Sequence, residues 1–199
     1  LWLGSANLRG DSSVALTILN GFLAGTIQVG TDFYEIRPTS TGHVIEKLDL
    51  GKFPPGAPPV PGPAPDANIG TAPVVETTAA TAADPVVIDL MSVYTPQART
   101  AAGGTAQIQA LIQSAVDNAN LAFSNSLINA TYSLVNTTEV AHDDAGDLGT
   151  DLSWVSADAT VAALRNQYGA DMVSLIVENG AGYRSEEHTS ELQSHHDLV

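Results

Sequence analysis

The chain has 199 residues, with 7 Lys plus Arg against 22 Asp plus Glu, a formal net charge of −15. So acidic a field repels phosphates and anionic lipid heads, which argues against nucleic-acid and membrane partners. There is no Cys, so disulfides, thiolate zinc sites and cysteine nucleophiles are excluded, and any metal must be held by His and carboxylates.

No run of about 18 apolar residues occurs. The opening LWLGSANLRG lacks the basic and apolar regions of a signal peptide, so the start reads as mature or truncated sequence.

Residues 1–52 show period-two alternation. Val14, Leu16 and Ile18 point one way, Asn20-Gly21 signals a type I′ turn, and FLAGTIQV follows. Further turns at Gly30-Thr31-Asp32 and near Ser40-Thr41-Gly42 lead to FYEIR and HVIEKLDL. The expectation is a small antiparallel β module. Eight of the 11 prolines then fall between Pro54 and Pro73, followed by an Ala/Thr-rich run, so residues 53–84 read as an extended linker without a core of its own.

After the linker, VVIDLMSV at 86–93 is a nearly continuous apolar run, as in a buried strand. In TAQIQALIQSAVDNANLAF, residues Ile108, Leu111, Ile112, Ala115, Val116, Ala119, Ala122 and Phe123 keep helical spacing over 105–123, with Thr105 as N-cap. The Gln, Ser, Asp and Asn residues fall on the other face. TYSLVNTTEV predicts a strand, and an acidic loop leads to a second helix from about Ser156. Val161, Leu164 and Tyr168 share a face of that helix and Gly169 ends it. Met172 to Val177 predict a last buried strand. Residues 85–183 are therefore α/β, with a β-α-β-α-β order that favours a mostly parallel sheet, making the whole chain α+β. A three-stranded sheet leaves edges to cover, so this part alone is expected to be marginally stable.

The tail 184–199, RSEEHTSELQSHHDLV, differs sharply from what precedes it. Arg184 to Ser194 look like the in-frame translation of a common sequencing-library adapter, so the authentic sequence is expected to end near Tyr183. At face value His188, Glu191, His195 and His196 form a zinc-ligand set. His188-x-x-Glu191 also resembles part of the inverted zincin motif, but Leu192 stands where that motif needs His.

Elsewhere, His142, Asp143, Asp144, Asp147 and Asp151 put an imidazole and four carboxylates in a Gly-containing loop. Such a loop either holds a hard cation or is simply solvated, and its spacing departs from the EF-hand order. His142 beside Asp143, with Ser153 and Ser156 nearby, suggests a hydrolase dyad, but no nucleophile elbow is present. Gly103-Gly104-Thr105 at a helix start offers amides to an anion, or is a flexible helix entry. Asn129 and Asn136 sit in N-glycosylation patterns.

The run from VVIDLMSVYTPQARTAAGGTAQ through DLSWV to RNQYGADMVSLIVEN, covering 85–179, resembles the start of the catalytic domain in bacterial reprolysin-like zincins, in particular the peptidyl-Asp metalloendopeptidases. Residues 1–55, with Phe53-Pro54-Pro55 at their end, are similar to the N-terminal region of such precursors. The resemblance implies a secreted zymogen made of propeptide, tether and zincin domain, with Zn2+ as cofactor and peptides or proteins as substrates of the full-length protein. In that family an edge strand and a helix bearing His-Glu-x-x-His-x-x-Gly-x-x-His follow; three His bind zinc and the Glu is the general base. No His-Glu pair occurs in this chain. No catalytic, cofactor-binding or metal-binding residue is therefore carried over, and the chain itself is expected to be inactive.

Two other readings start from the same residues. A β module on a Pro-rich stalk suits a non-catalytic secreted binding or adhesion protein. The first strand also suits a von Willebrand-type α/β domain, but no D-x-S-x-S metal pattern follows it.

Overall fold

The computed structural model describes residues 1–4, 12–52 and 86–179. The predicted linker 53–84 and the tail 184–199, with its candidate zinc set, lie outside the described residues.

The N-terminal part is an antiparallel sheet of five strands in sequential order: β1 (Trp2–Gly4), β2 (Ser12–Leu19), β3 (Phe22–Val29), β4 (Asp32–Thr39) and β5 (Gly42–Leu48). The β2–β3 turn is Asn20-Gly21, with φ of 53° and 83°. Both values are positive, as a type I′ turn requires, and that turn matches the twist of the strands it joins. A short 3-10 turn at Leu50–Lys52 follows β5.

Cross-strand register sorts the side chains onto two faces. Val14, Ile27, Tyr34 and Lys47 lie opposite one another across four strands, and Ala15, Thr26, Glu35 and Glu46 do so on the reverse face. Val14, Leu16 and Ile18 do share one face, but Ile18 is 71% exposed. It is the reverse face, with Ala15, Thr17, Ala24 and Thr26 at its centre, that meets the rest of the protein.

The second part runs β6 (Val86–Tyr94), α1 (Pro96–Ala102), α2 (Thr105–Asn125), β7 (Ala130–Glu139), α3 (Leu148–Ala157), α4 (Ala159–Tyr168) and β8 (Met172–Ile176). Its sheet is wholly parallel with order β7-β6-β8, as the βαβ pattern implies. The apolar run of β6 is central, yet only its second half is buried. Val86 and Val87 are exposed, whereas Leu90, Met91 and Val93 are not. A register shift between Leu90 and Met91 places an extra residue, Val135, in β7.

Alternation along β6 feeds two cores. Met91 and Val93 pack with Val140, Val155, Val161 and Ala170, while Tyr94 packs with Ala98, Ala102, Ile108, Ile112 and Ile176. Each fully buried aliphatic side chain of this kind contributes about 1.5–3 kcal/mol. The chain is thus a mixed α/β protein, with a five-stranded antiparallel sheet, a small parallel sheet and four helices among the described residues.

Several local expectations are corrected. A separate helix, α1, precedes α2; Thr95 caps it through its hydroxyl to Ala98 N at 3.1 Å, and Pro96 occupies its first turn. Thr105 is not an N-cap but the first residue of α2. The cap position is Gly104, which has no side chain to donate or accept. The helix predicted from Ser156 is two helices, because Asp147 caps α3 and Asp158 caps α4. Gly169, at φ 65°, ends α4 as expected. Val161 and Leu164 reach the core, but Tyr168 is exposed.

The polar face of α2 is also not a solvent face. Gln107, Ala110 and Ser114 are buried along it. The five-stranded sheet lies there: the Thr17 hydroxyl donates to Asp117 Oδ2, and the Thr26 hydroxyl donates to Asn118 Oδ1 at 3.2 Å. The sheet therefore packs on α2 and does not stand away on a stalk.

Candidate functional site

The three parallel strands end together. Thr95 N donates to Ile176 O and Val140 N to Tyr94 O, so the loops after β6, β7 and β8 leave from one edge. In open α/β sheets the carboxyl edge of the strands is where ligands bind. The acidic loop 141–147 lies at this edge, and most of the residues singled out in the sequence converge on it.

His142 Nε2 lies 2.6 Å from Asp151 Oδ1, and its ring stacks on Trp154 with centroids 3.9 Å apart and planes at 11°. Asp151, in the first turn of α3, is 2% exposed and also accepts from Ala145 N at 3.1 Å. Asp144 Oδ2 accepts from Glu178 N at 2.7 Å and Asn179 N at 3.0 Å, so it fastens the segment after β8. Asp143 Oδ1 accepts from Gln97 Nε2 at 3.0 Å, which ties the loop to α1. Asp147 accepts from the backbone and hydroxyl of Thr150, and those bonds hold its carboxyl below the ordinary aspartate range. Beside the loop, Arg99 pairs with Glu139. Tyr94 is pushed above its ordinary value, mainly by burial and further by the charge of Glu139.

The five residues predicted as a cation loop are thus individually engaged in structural bonds. Among the described residues, no group of three or more His, Asp or Glu is arranged to hold a metal ion. The hydrolase dyad is corrected in two ways. His142 pairs with Asp151 across the loop and not with its neighbour Asp143. Ser153 and Ser156 donate their hydroxyls to the carbonyls of Gly149 and Leu152 within α3, where neither is activated by a base.

Gly103 and Gly104 do not form an anion nest. The Gly103 and Gly104 amides cap α1, donating to Thr100 O and Arg99 O. A side chain at Gly103 would come within 2.5 Å of Ser40 N, so the β4–β5 turn fills that space. Asn136 sits inside β7 with its side-chain nitrogen shielded from solvent, which does not suit glycan attachment.

The sequence reading missed Trp154 and the helical setting of Asp151. The signal was present, because Asp147, Asp151 and Trp154 follow helical spacing behind a capping Asp. Chemically, the loop is a brace: it locks the carboxyl edge of the sheet through one oxygen each of Asp144 and Asp151, whose other oxygens, Asp144 Oδ1 and Asp151 Oδ2, are buried without a hydrogen-bond partner.

No family model matches the chain. The proteins it is similar to include three bacterial ones, each named peptidyl-Asp metalloendopeptidase. That of Xanthomonas campestris pv. campestris is 31% identical over 167 residues, covering 81% of this chain and 39% of that protein. That of Stenotrophomonas maltophilia is 26% identical, covering 85% of this chain and 42% of the relative. That of Pseudomonas aeruginosa is 37% identical over 105 residues, covering 51% and 17% respectively. The chain thus spans about two-fifths or less of the length of these relatives. A solved chain described as a chaperone-substrate complex aligns with a TM-score of 0.45 at 17% identity, covering 79% of this chain and 21% of that one; a likeness of that size decides nothing. The resemblance read from the sequence is therefore matched by named homologues across most of the chain: what it is similar to are metalloendopeptidases of the peptidyl-Asp type.

Proposed function

We propose that this chain is the N-terminal portion of the precursor of a secreted, zinc-dependent metalloendopeptidase. Residues 1–52 are its pro-module, 53–84 its tether and 85–183 the first part of its catalytic domain, and 184–199 are foreign to it. The observation that carries this reading is the extent of the similarity. Coverage of 81% exceeds either module alone, so it runs through both the β module and the α/β part.

The described residues do not fit a catalytic zinc. Among the described residues, the His near the carboxyl edge, His142, is committed to Asp151 and Trp154, and the carboxylates gather in no ligand set. Zinc in such a peptidase activates a water and polarises the scissile carbonyl. This chain supplies the scaffold instead: β6 and β8 as the sheet, α1 and α2 behind it, and the 141–147 brace holding the strand ends that lead onward. Peptides and proteins are the substrates of the longer protein, not of this one.

The test has two parts. The purified chain should hydrolyse no peptide with or without added zinc, and the contiguous gene read past codon 183 should encode His-Glu-x-x-His-x-x-Gly-x-x-His. Chelator-sensitive hydrolysis by the present chain, or a continuation encoding an unrelated domain, would overturn the proposal.

A further inference from the structure

The contact between the five-stranded sheet and α2 has the makings of a separable interface. On the sheet side it is built from small residues: Ala15, Thr17 and Ala24 are all buried. On the helix side Ala110, Ser114 and Asp117 recur at i, i+4 and i+7, one continuous stripe. Small side chains let a sheet lie close to a helix backbone, and the contact is then fixed by polar bonds at named positions. Thr17 bonds Asp117, Thr26 bonds Asn118, and Asn20 Nδ2 donates to Gln109 Oε1 at 3.2 Å. The β4–β5 turn reaches the far end of the same surface, where Gly103 leaves room for the backbone of Thr39 and Ser40.

This composition is unlike a core. The two apolar clusters of the α/β part are formed without any residue of the sheet, being drawn from β6, β7, β8 and the helices. Along one margin the contact stays open as a cleft of about 510 Å³ between Phe33 and Ile36 on the sheet and Leu111, Ala115 and Ala119 on the helix. A contact fixed by a few polar bonds, left partly unfilled, and contributing no residue to either apolar cluster is the kind that forms and parts reversibly.

We infer that residues 12–48 are a non-covalent clamp for the polar face of α2, which stays seated after the 53–84 tether is cut and leaves only on dilution. The partner it recognises is specific: a helix presenting Ser114 and Asp117 along one stripe, flanked by Gln109 on one side and Asn118 on the other. Its role is to cover a helix face that would otherwise be exposed, so cutting the tether and losing the module are separate events. The inference stands on the interface alone and does not need the peptidase reading, because its readout is association and not hydrolysis.

The experiment uses the full chain with a specific protease site placed within 53–84. After cleavage, size exclusion at micromolar concentration should show the two pieces migrating together, and dilution should release them. Ser114→Arg places a long charged side chain in the buried stripe without lowering helix preference and should weaken retention by at least about tenfold. Thr17→Val removes one bond, keeps the shape, and should weaken it by about fivefold; it serves if Ser114→Arg disturbs folding, which circular dichroism of the uncut chain reports. Separation of the wild-type pieces immediately on cutting would overturn the inference. So would equal retention in the wild type and both variants.

Discussion

The brace at the carboxyl edge makes a quantitative prediction. In Asp151→Ala, the His142 nitrogen and the N–H of the exposed Ala145 both lose their acceptor. Leaving a buried donor unpaired costs about 1–3 kcal/mol, and water can reach the Ala145 amide, so the expected loss of stability is about 1–3 kcal/mol. Asp151→Asn keeps an oxygen at the same place and loses only the charge assistance, so it should cost about 1 kcal/mol. His142→Ala removes a ring that is 12% exposed and stacked on Trp154. It leaves the carboxylate of Asp151 facing Ala145 N alone, at a cost of about 2–3 kcal/mol including the ring contact. Because the two residues meet each other, the double variant should cost clearly less than the sum, with a coupling of about 1–2 kcal/mol. Urea unfolding followed at 222 nm and by tryptophan fluorescence measures all four proteins. A coupling below about 0.5 kcal/mol would show that His142 and Asp151 act independently, and the brace would be refuted.

Two further outcomes are expected. Met91→Ala empties a site of 0% exposure between β6 and the α3–α4 layer and should lower stability by about 2–5 kcal/mol in the same assay; a loss below about 1 kcal/mol would mean that this core is loosely packed. Asp147 is held below its ordinary value by Thr150, so its cap is complete above the unfolded aspartate range and fades as pH falls through the lower folded value. The melting-temperature advantage over Asp147→Ala should therefore persist at neutral pH and shrink as pH falls below about 4, and a difference that stays constant down to acid unfolding would contradict the assigned cause.

Much of the fold could be read from local chemistry. Asn20-Gly21 fixes a hairpin because only residues tolerant of positive φ fit both turn positions, and the i, i+3, i+4 run in 105–123 fixes a helix because its apolar stripe has one place to go. Boundaries were harder where one capping residue decides them. Thr95-Pro96 starts α1, which at seven residues carries too little periodicity to announce itself, and Asp147 starts α3 from inside an acidic run whose composition reads as loop. At the candidate site the sequence supplied the right residues with the wrong partners. Asp143 is adjacent to His142 in the chain, but the turn of the loop and the first turn of α3 deliver Asp151 to the ring. A pairing across a loop depends on backbone direction, which composition does not carry.

The polar face of α2 shows a deeper limit. Gln, Ser, Asp and Asn at helical spacing read as solvated, because water is their commonest partner. Here the partner is a second surface of the same chemical kind: threonines and alanines of β2 and β3 meet Asp117, Asn118 and Ser114. Where the two faces meet closely they are small and polar and give no hydrophobic signal, although Phe33, Ile36 and Leu111 line one margin of the contact. That property also explains why burying this face does not require a permanent union. An apolar helix face would bind its cover with a driving force proportional to area, about 25 cal/mol per Å². A face of small polar side chains gains little from desolvation and relies on a few directed hydrogen bonds, each worth about 1 kcal/mol net. The choice of residues along 109–118 thus sets the strength with which the β module is held, and it sets it low enough for the module to be removed.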